Sequence, residues 1–167
     1  MKKPQLLFIA GMPAAGKSYI GRWLESYQGF IHIDPEENDR LDSLGVHRIW
    51  DACVASQDCN PFADALRQFG HPTVFNWGFP VSLLPIAAAL KRAGFACWWL
   101  DADIEQARAE FKRIGKSLAR FEQQVAAIDA ARDSILQVFE PNVVTTLDQA
   151  GVRLSPEAIW VALQQAA

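Results

Sequence analysis

Short apolar runs alternate with longer amphipathic stretches along the chain. Leu6-Leu7-Phe8-Ile9-Ala10, Phe30-Ile31-His32-Ile33, Thr73-Val74-Phe75, Phe95-Ala96-Cys97-Trp98-Trp99-Leu100 and Asn142-Val143-Val144-Thr145-Thr146-Leu147 are short, apolar and rich in β-branched and aromatic residues. They read as strands buried on both faces. The segments between them carry apolar residues at helical spacing; the first spans about Lys17 to Tyr27 and is broken by Gly29. Strand and helix in regular alternation predict an α/β fold, a doubly wound five-stranded parallel sheet with helices on both faces. Four of the five strand runs end in a polar residue, Asp34, Asn76, Asp101 or Asp148, which this topology sets along the ligand crevice. Local signals mark helix ends: Asn60-Pro61 as N-cap and first helical residue with Gly70 closing, and Ser155-Pro156-Glu157 opening the last helix.

Composition narrows the classes of partner. At 167 residues the chain fits one domain, with no linker or internal repeat. A net charge of -3 brings no basic field of the kind that general nucleic-acid binding needs, so such partners are not expected. Cys53, Cys59 and Cys97 fit neither a zinc site nor a disulfide framework and are expected as reduced thiols. Met1-Lys2-Lys3 precedes an apolar stretch too short for a signal peptide, and no run is long enough to cross a membrane. The expected location is the cytoplasm.

Chemistry enters at residues 11 to 18. Gly11-Met12-Pro13-Ala14-Ala15-Gly16-Lys17-Ser18 matches G-x-x-x-x-G-K-[ST] between a buried strand and a helix, the setting a phosphate-binding loop requires. Gly11 and Gly16 let the chain curl so that the N–H groups of Ala14, Ala15, Gly16, Lys17 and Ser18 face anionic oxygens, with Tyr19 next in the opening helix. Lys17 reaches the β/γ-phosphates, and the Ser18 hydroxyl is a Mg²⁺ ligand. A GTPase would carry N-K-x-D, which is absent; Asp42-Ser43-Leu44-Gly45 matches D-x-x-G but falls in a polar connection. No transporter-ATPase signature is present, which leaves the compact nucleotide-dependent phosphotransferases.

The order of phosphate loop, strand ending in Asp34, strand ending Asn76-Trp77-Gly78-Phe79, strand ending Asp101-Ala102-Asp103, then a helix with Arg108 and Arg113, resembles the small P-loop kinases. These include shikimate and gluconate kinases and chloramphenicol phosphotransferase. The resemblance spans nearly the whole chain. It implies a mobile lid, here about residues 104–125 hinged near Gly115-Lys116-Ser117, and transfer of the γ-phosphoryl of ATP to a small hydroxylated acceptor. Many relatives carry an acidic residue where this chain has Asn76. An amide can hold a metal-bound water or an acceptor hydroxyl but supplies no charge, so a carboxylate restored there is expected to tighten Mg²⁺-nucleotide binding.

Asp34 is the candidate base or orienter of the acceptor hydroxyl; Asp34-Pro35-Glu36-Glu37 also reads as a helix N-cap with an acidic first turn. Arg108 and Arg113 are candidate lid cations for the transferring phosphoryl. Equally, Ile104, Ala107, Phe111 and Ile114 form an apolar stripe that would leave Arg108, Lys112 and Lys116 on a solvated face, with Glu105 and Glu110 as partners. Residues 35–70, carrying Arg40, His47, Arg48 and Trp50, are expected to build the acceptor region with Trp77 and Asn76. The leading reading is an ATP- and Mg²⁺-dependent small-molecule kinase. The alternatives are a nucleotide-binding switch or slow ATPase without a small-molecule acceptor and, disfavoured by the acidic balance, a nucleic-acid end kinase.

Overall fold

The computed structural model describes residues 5–78 and 80–165; Phe79 of the expected aromatic turn, and the N-terminal lysines, lie outside them. Five parallel strands, β1 (Leu6–Gly11), β2 (Ile31–Ile33), β3 (Thr73–Asn76), β4 (Ala96–Ala102) and β5 (Val143–Leu147), form one sheet among the described residues, in the order β2-β3-β1-β4-β5. β1 is central, in register with β3 through Phe8↔Phe75 and with β4 through Phe8↔Cys97. The chain crosses over β1 between β3 and β4, so the crevice opens at the C-terminal end of β1.

The helices cover both faces of the sheet. On one face α1 (Lys17–Gln28) packs on β2 and β3 and is backed by α9 (Pro156–Gln165). On the other, α3 (His47–Ser56) and α4 (Asn60–Arg67) lay Trp50 and Phe62 on Phe75, with ring centroids 4.7 and 5.6 Å away. Successive residues of a strand point to opposite faces. Phe75 therefore joins this aromatic cluster while Asn76, its neighbour, faces α1.

Helix limits differ from expectation where side chains intervene. Asp58 Oδ1 accepts from both the backbone N–H and the amide of Asn60, which draws Asn60 into the first turn of α4, and Cys59 takes the N-cap position. The segment after Asp34 is a turn, not a helix: the Asp34 carbonyl accepts from Glu37 and Asn38, and α2 (Arg40–Ser43) begins only at Arg40. The Asp42-Ser43-Leu44-Gly45 match thus lies on α2 and the turn after it, at no strand end. In the lid region, α6 (Ile104–Arg113) buries Ala107 and Phe111, and Phe111 meets Phe121 of α7 (Leu118–Ala130) at 5.2 Å. Ile104 and Ile114 stay 40% and 46% exposed, so only the middle of the expected stripe is core. α5 (Leu84–Arg92) and α8 (Arg132–Phe139) pack on β4.

The expectation of three reduced thiols is corrected. Gln57 caps α3 in a left-handed conformation, and the resulting turn into α4 sets the Cα atoms of Cys53 and Cys59 4.7 Å apart, where the buried sulfurs are joined as a disulfide. Spacing hid the bridge, because six residues of separation say nothing until the turn conformation is known. Such bonds persist in oxidising surroundings, so one reason for a cytoplasmic location falls away. No helix of the described residues is long and apolar enough to cross a membrane. The expected outcome of thiol titration on protein unfolded without reductant is one reactive group, Cys97, rising to three after reduction.

Candidate active site

The loop between β1 and α1 is held by what its carbonyls touch. Lys17 Nζ donates to the Gly11 and Met12 carbonyls at 3.1 and 2.9 Å. Arg153 Nη2 donates to the Ala14 carbonyl at 2.9 Å, and Thr146 Oγ1 of β5 to the Ala15 carbonyl at 2.7 Å. The Gly11, Met12, Ala14 and Ala15 oxygens are thus satisfied within the protein. Ala14 itself adopts a left-handed conformation at φ 61°, the kind of strained backbone that gathers at ligand sites. The first helical bond of α1 runs from Ile20 to the Gly16 carbonyl, so the N–H groups of Lys17, Ser18 and Tyr19 lie ahead of helical bonding. One expected donor is otherwise engaged: Ala15 N–H bonds the Met12 carbonyl at 3.2 Å. Glycine is required at Gly11, where a Cβ would stand 2.2 Å from the Leu100 carbonyl oxygen.

Ser18 Oγ donates to Asp34 Oδ2 at 2.8 Å, and Asp34 Oδ1 accepts from the Glu36 N–H at 3.1 Å. The turn after β2 thus holds the buried Asp34 carboxylate at the mouth of the loop. The helix-cap reading of Asp34 is overturned by this turn. Glu36, which no motif marked, reaches across the crevice: a Cβ on Gly78 would meet its Oε1 at 3.2 Å. Burial pushes the Lys17 ammonium down to about 8, with the charges of Glu36 and Asp34 acting upward and that of Lys116 downward.

The other expected residues are placed differently. Arg108 is chelated by Glu122 at 2.6 and 3.2 Å and paired with Glu105, and Arg113 is held by Glu110 at 2.7 and 2.8 Å; these hydrogen bonds raise both guanidiniums. The solvated-face reading names Arg108 with Glu105 and Glu110 as available partners; the chelation of Arg108 by Glu122 and the pairing of Arg113 lie outside it. Arg113 also lines a cavity of about 230 Å³ with Gln106, Glu110, Leu147, Gly151 and Arg153, beside the phosphate loop. Arg153 follows β5 and was missed because Asp148 drew attention at that strand end; Asp148 instead accepts from Val152 N–H and closes the connection. Asp103 likewise caps α6 through Gln106 N–H, and Asp101 binds Arg132.

In the acceptor region, Arg40 pairs with Glu25 and His47 with Asp42 and Asp51, while Arg48 is exposed on α3. Trp50 is buried and Trp77 half-buried against it, edge to face at 5.1 Å. Asn76 departs most from expectation. It is buried, its amide nitrogen 2.6 Å from the Lys17 carbonyl and 3.0 Å from His32 Nε2, so it braces α1 instead of reaching an acceptor hydroxyl.

No family model and no curated protein matches the sequence. The structure is similar to a shikimate kinase from Bacteroides thetaiotaomicron, with TM-score 0.52 and 13% identity over 96% of this chain and 94% of that one. It is also similar to a gluconokinase from Sinorhizobium meliloti 1021, with TM-score 0.54 and 16% identity over 99% and 95% of the two chains. The chain has the fold of the P-loop small-molecule kinases.

The placement of Asn76 reverses what the sequence suggests for a carboxylate there. In Asn76→Asp a carboxylate oxygen would face the Lys17 carbonyl with no hydrogen between them, at a cost of about 1–3 kcal/mol. The expected result is a less stable protein in urea titration, with the Mg²⁺ concentration for half-maximal nucleotide binding unchanged.

Proposed function

We propose that this chain is an ATP- and Mg²⁺-dependent phosphotransferase that moves the γ-phosphoryl group to a small hydroxylated acceptor. The observation that carries the reading is the bond between Ser18 and Asp34 at the mouth of a loop whose Gly11, Met12, Ala14 and Ala15 carbonyls are all hydrogen-bonded within the protein. The fold supports it: the same architecture occurs in a shikimate kinase and a gluconokinase.

In this reading the free loop amides and the first-turn amides of α1 bind the triphosphate, and the Lys17 ammonium leaves the Gly11 and Met12 carbonyls for phosphate oxygens. The Ser18 hydroxyl gives its hydrogen to Asp34 and keeps its lone pairs for a cation, so the two residues fit a hard, oxygen-preferring ion. They would hold Mg²⁺, which when bound neutralises phosphate charge. Asp34 orients the acceptor hydroxyl and takes its proton as the new O–P bond forms and the bond to ADP breaks. Lys116 and Arg113 approach from the lid; Arg113 must exchange Glu110 for phosphate, a small cost for so exposed an ion pair. Arg153 and the cavity beside it supply a seat for the rest of the nucleotide. The acceptor lies in the crevice between Asp34, Glu36 and the Trp77-Gly78 turn.

The buried, uncharged Asn76 favours a second reading, a nucleotide-binding switch that hydrolyses ATP slowly. A panel of sugars, nucleosides, aminoglycosides and hydroxy acids separates the two. A kinase releases ADP faster with one acceptor and labels it from γ-labelled ATP, whereas a switch shows acceptor-independent release. With that acceptor in hand, Lys17→Ala is expected to lower turnover by about 10²-fold or more, and Asp34→Asn to lower it while ATP affinity is kept. Wild-type turnover in folded Lys17→Ala would sink the phosphate-loop reading.

A further inference from the structure

α3 and α4 meet beside the acceptor crevice, and a covalent bond joins them there. Cys53 lies one turn after Trp50 on α3, and Cys59, the N-cap of α4, one turn before Phe62. Residues three apart on a helix share a face, so the bridge sits beside the two rings through which this pair of helices packs. The Trp50 ring centroid lies 5.1 Å from that of Phe62 and 4.7 Å from that of Phe75 on β3, and Trp50 meets Trp77 edge to face at 5.1 Å. Trp77 is half-buried at the end of β3, where the next residue, Gly78, stands across from Glu36. A row of contacts thus leads from the bridge through Trp50 to the wall of the acceptor crevice.

We propose that the Cys53–Cys59 bridge is a redox-sensitive clamp on that wall. Oxidised, it holds Trp50 against Trp77 and keeps the acceptor crevice formed; reduced by a dithiol, it frees α3 and weakens acceptor binding while the phosphate loop stays in place. The inference rests on the acceptor reading above but not on the identity of the acceptor. The two helices are anchored unequally. α4 buries Phe62, Ala63 and Leu66, and Phe62 also stacks on Phe95 at 6.2 Å, whereas α3 buries Trp50 and Cys53. When the bond is cut, each sulfur takes a hydrogen and needs van der Waals room of its own in a packed interior, so the helix with fewer anchors yields. α3 then moves, and Trp50 with it. Trp77 loses this support but not its backbone position, because its N–H donates to the Ile9 carbonyl of β1 at 3.1 Å. The phosphate loop is held from the β5 side of the sheet, by Thr146 and Arg153.

The exchange balances between the pair and the reductant. A thiolate of the dithiol attacks one bridge sulfur, the S–S bond breaks, and the other cysteine leaves as a thiolate that takes up a proton. The second thiol of the reductant then attacks the mixed disulfide, frees the remaining cysteine and closes the reductant's own disulfide, so two electrons and two protons have passed to Cys53 and Cys59. Both cysteines are buried, but residues 55–58, which join the two helices, are exposed. Access therefore needs a local opening of this turn and no unfolding of the sheet. Cys97 stands apart on β4, where burial pushes its thiol up to about 12 and leaves it no nucleophile toward the bridge.

The test compares the full wild-type chain before and after treatment with dithiothreitol, with free thiols counted by alkylation and mass. NMR follows the Trp77 indole N–H and the Gly78 amide, whose signals are expected to move in step with loss of the bridge and to return on reoxidation. Over the same change the dissociation constant for Mg²⁺-ADP is expected to shift by less than about twofold, and KM for the acceptor found in the panel above to rise about tenfold with kcat little changed. Linkage is reciprocal, so saturating acceptor should lower the reduction midpoint of the bridge by about 30 mV, the equivalent of that tenfold change for a two-electron couple. A bridge that only staples the turn would leave KM and the midpoint unmoved. Trp77 and Gly78 signals unchanged by full reduction, a KM equal in the two redox forms, or free Cys53 and Cys59 in protein kept from reductants would overturn the clamp while leaving the kinase reading intact. Nucleotide affinity lost in step with the Trp77 signal would overturn it as well, since the loosening would then be general. ATP turnover that no acceptor accelerates would remove the acceptor reading and the clamp with it.

Discussion

A loop can aim several backbone N–H groups at one point only if its carbonyl groups are turned away and satisfied there. That constraint organises this molecule around residues 11–18. Four of its carbonyls find three side-chain donors: Lys17, within the loop, for Gly11 and Met12, and the distant Arg153 for Ala14 and Thr146 for Ala15. The adjoining β4 contributes in the same way, its Leu100 carbonyl accepting from Met12 N–H at 2.9 Å. Unpaired, such buried groups would each cost roughly 1–3 kcal/mol, enough together to open so strained a turn. The parallel sheet supplies these donors because it gathers the C-terminal ends of β1, β4 and β5 along one edge of the crevice.

The same logic explains the far side of the helix that follows the loop. α1 lies close against β2 and β3 because Gly21 has no side chain, and the space is filled by a hydrogen-bonded His32–Asn76 pair where an apolar side chain would leave the Lys17 carbonyl without this second donor. An amide at Asn76 is thus a structural choice with electrostatic consequences. It removes a negative charge from the floor of the site, and the carboxylates that remain near Lys17 come from the turn after β2, on Asp34 and Glu36. Charge that a strand end could have supplied is supplied by the hydrogen-bonded turn that follows one.

The segment from α6 to α7 shows the opposite balance. Arg108 and Arg113 are held by carboxylates of α6 and α7, so their charge is spent locally. Lys116 has no such carboxylate among the described residues; its ammonium rests over the Phe111 ring at 5.7 Å, in the Gly115-Lys116-Ser117 break between the helices. Its charge acts on the Lys17 ammonium, opposing those of Glu36 and Asp34.

Much of this was written in local pattern. The five strand runs, the parallel α/β arrangement and the phosphate loop follow from periodicity and from a motif whose glycines have one physical use. Asp34 was found by its place at a strand end, and its bond to Ser18 joins two residues that the sequence had singled out separately. What remained hidden depends on which side chains meet across the fold. The Cys53–Cys59 bridge required a left-handed turn at Gln57, and the ion pairs of Arg108 and Arg113 required a choice among several carboxylates within reach. The support from Arg153 and Thr146 links the loop to residues more than 130 positions away. Asn76 shows the division at a single residue. The sequence by itself determined that a polar side chain would end β3, but whether it faced ligand or helix depended on the parity of the strand and on the room left by Gly21. A hydrogen bond is decided by a few tenths of an ångström between atoms of distant segments, and only the packed tertiary structure sets distances that fine.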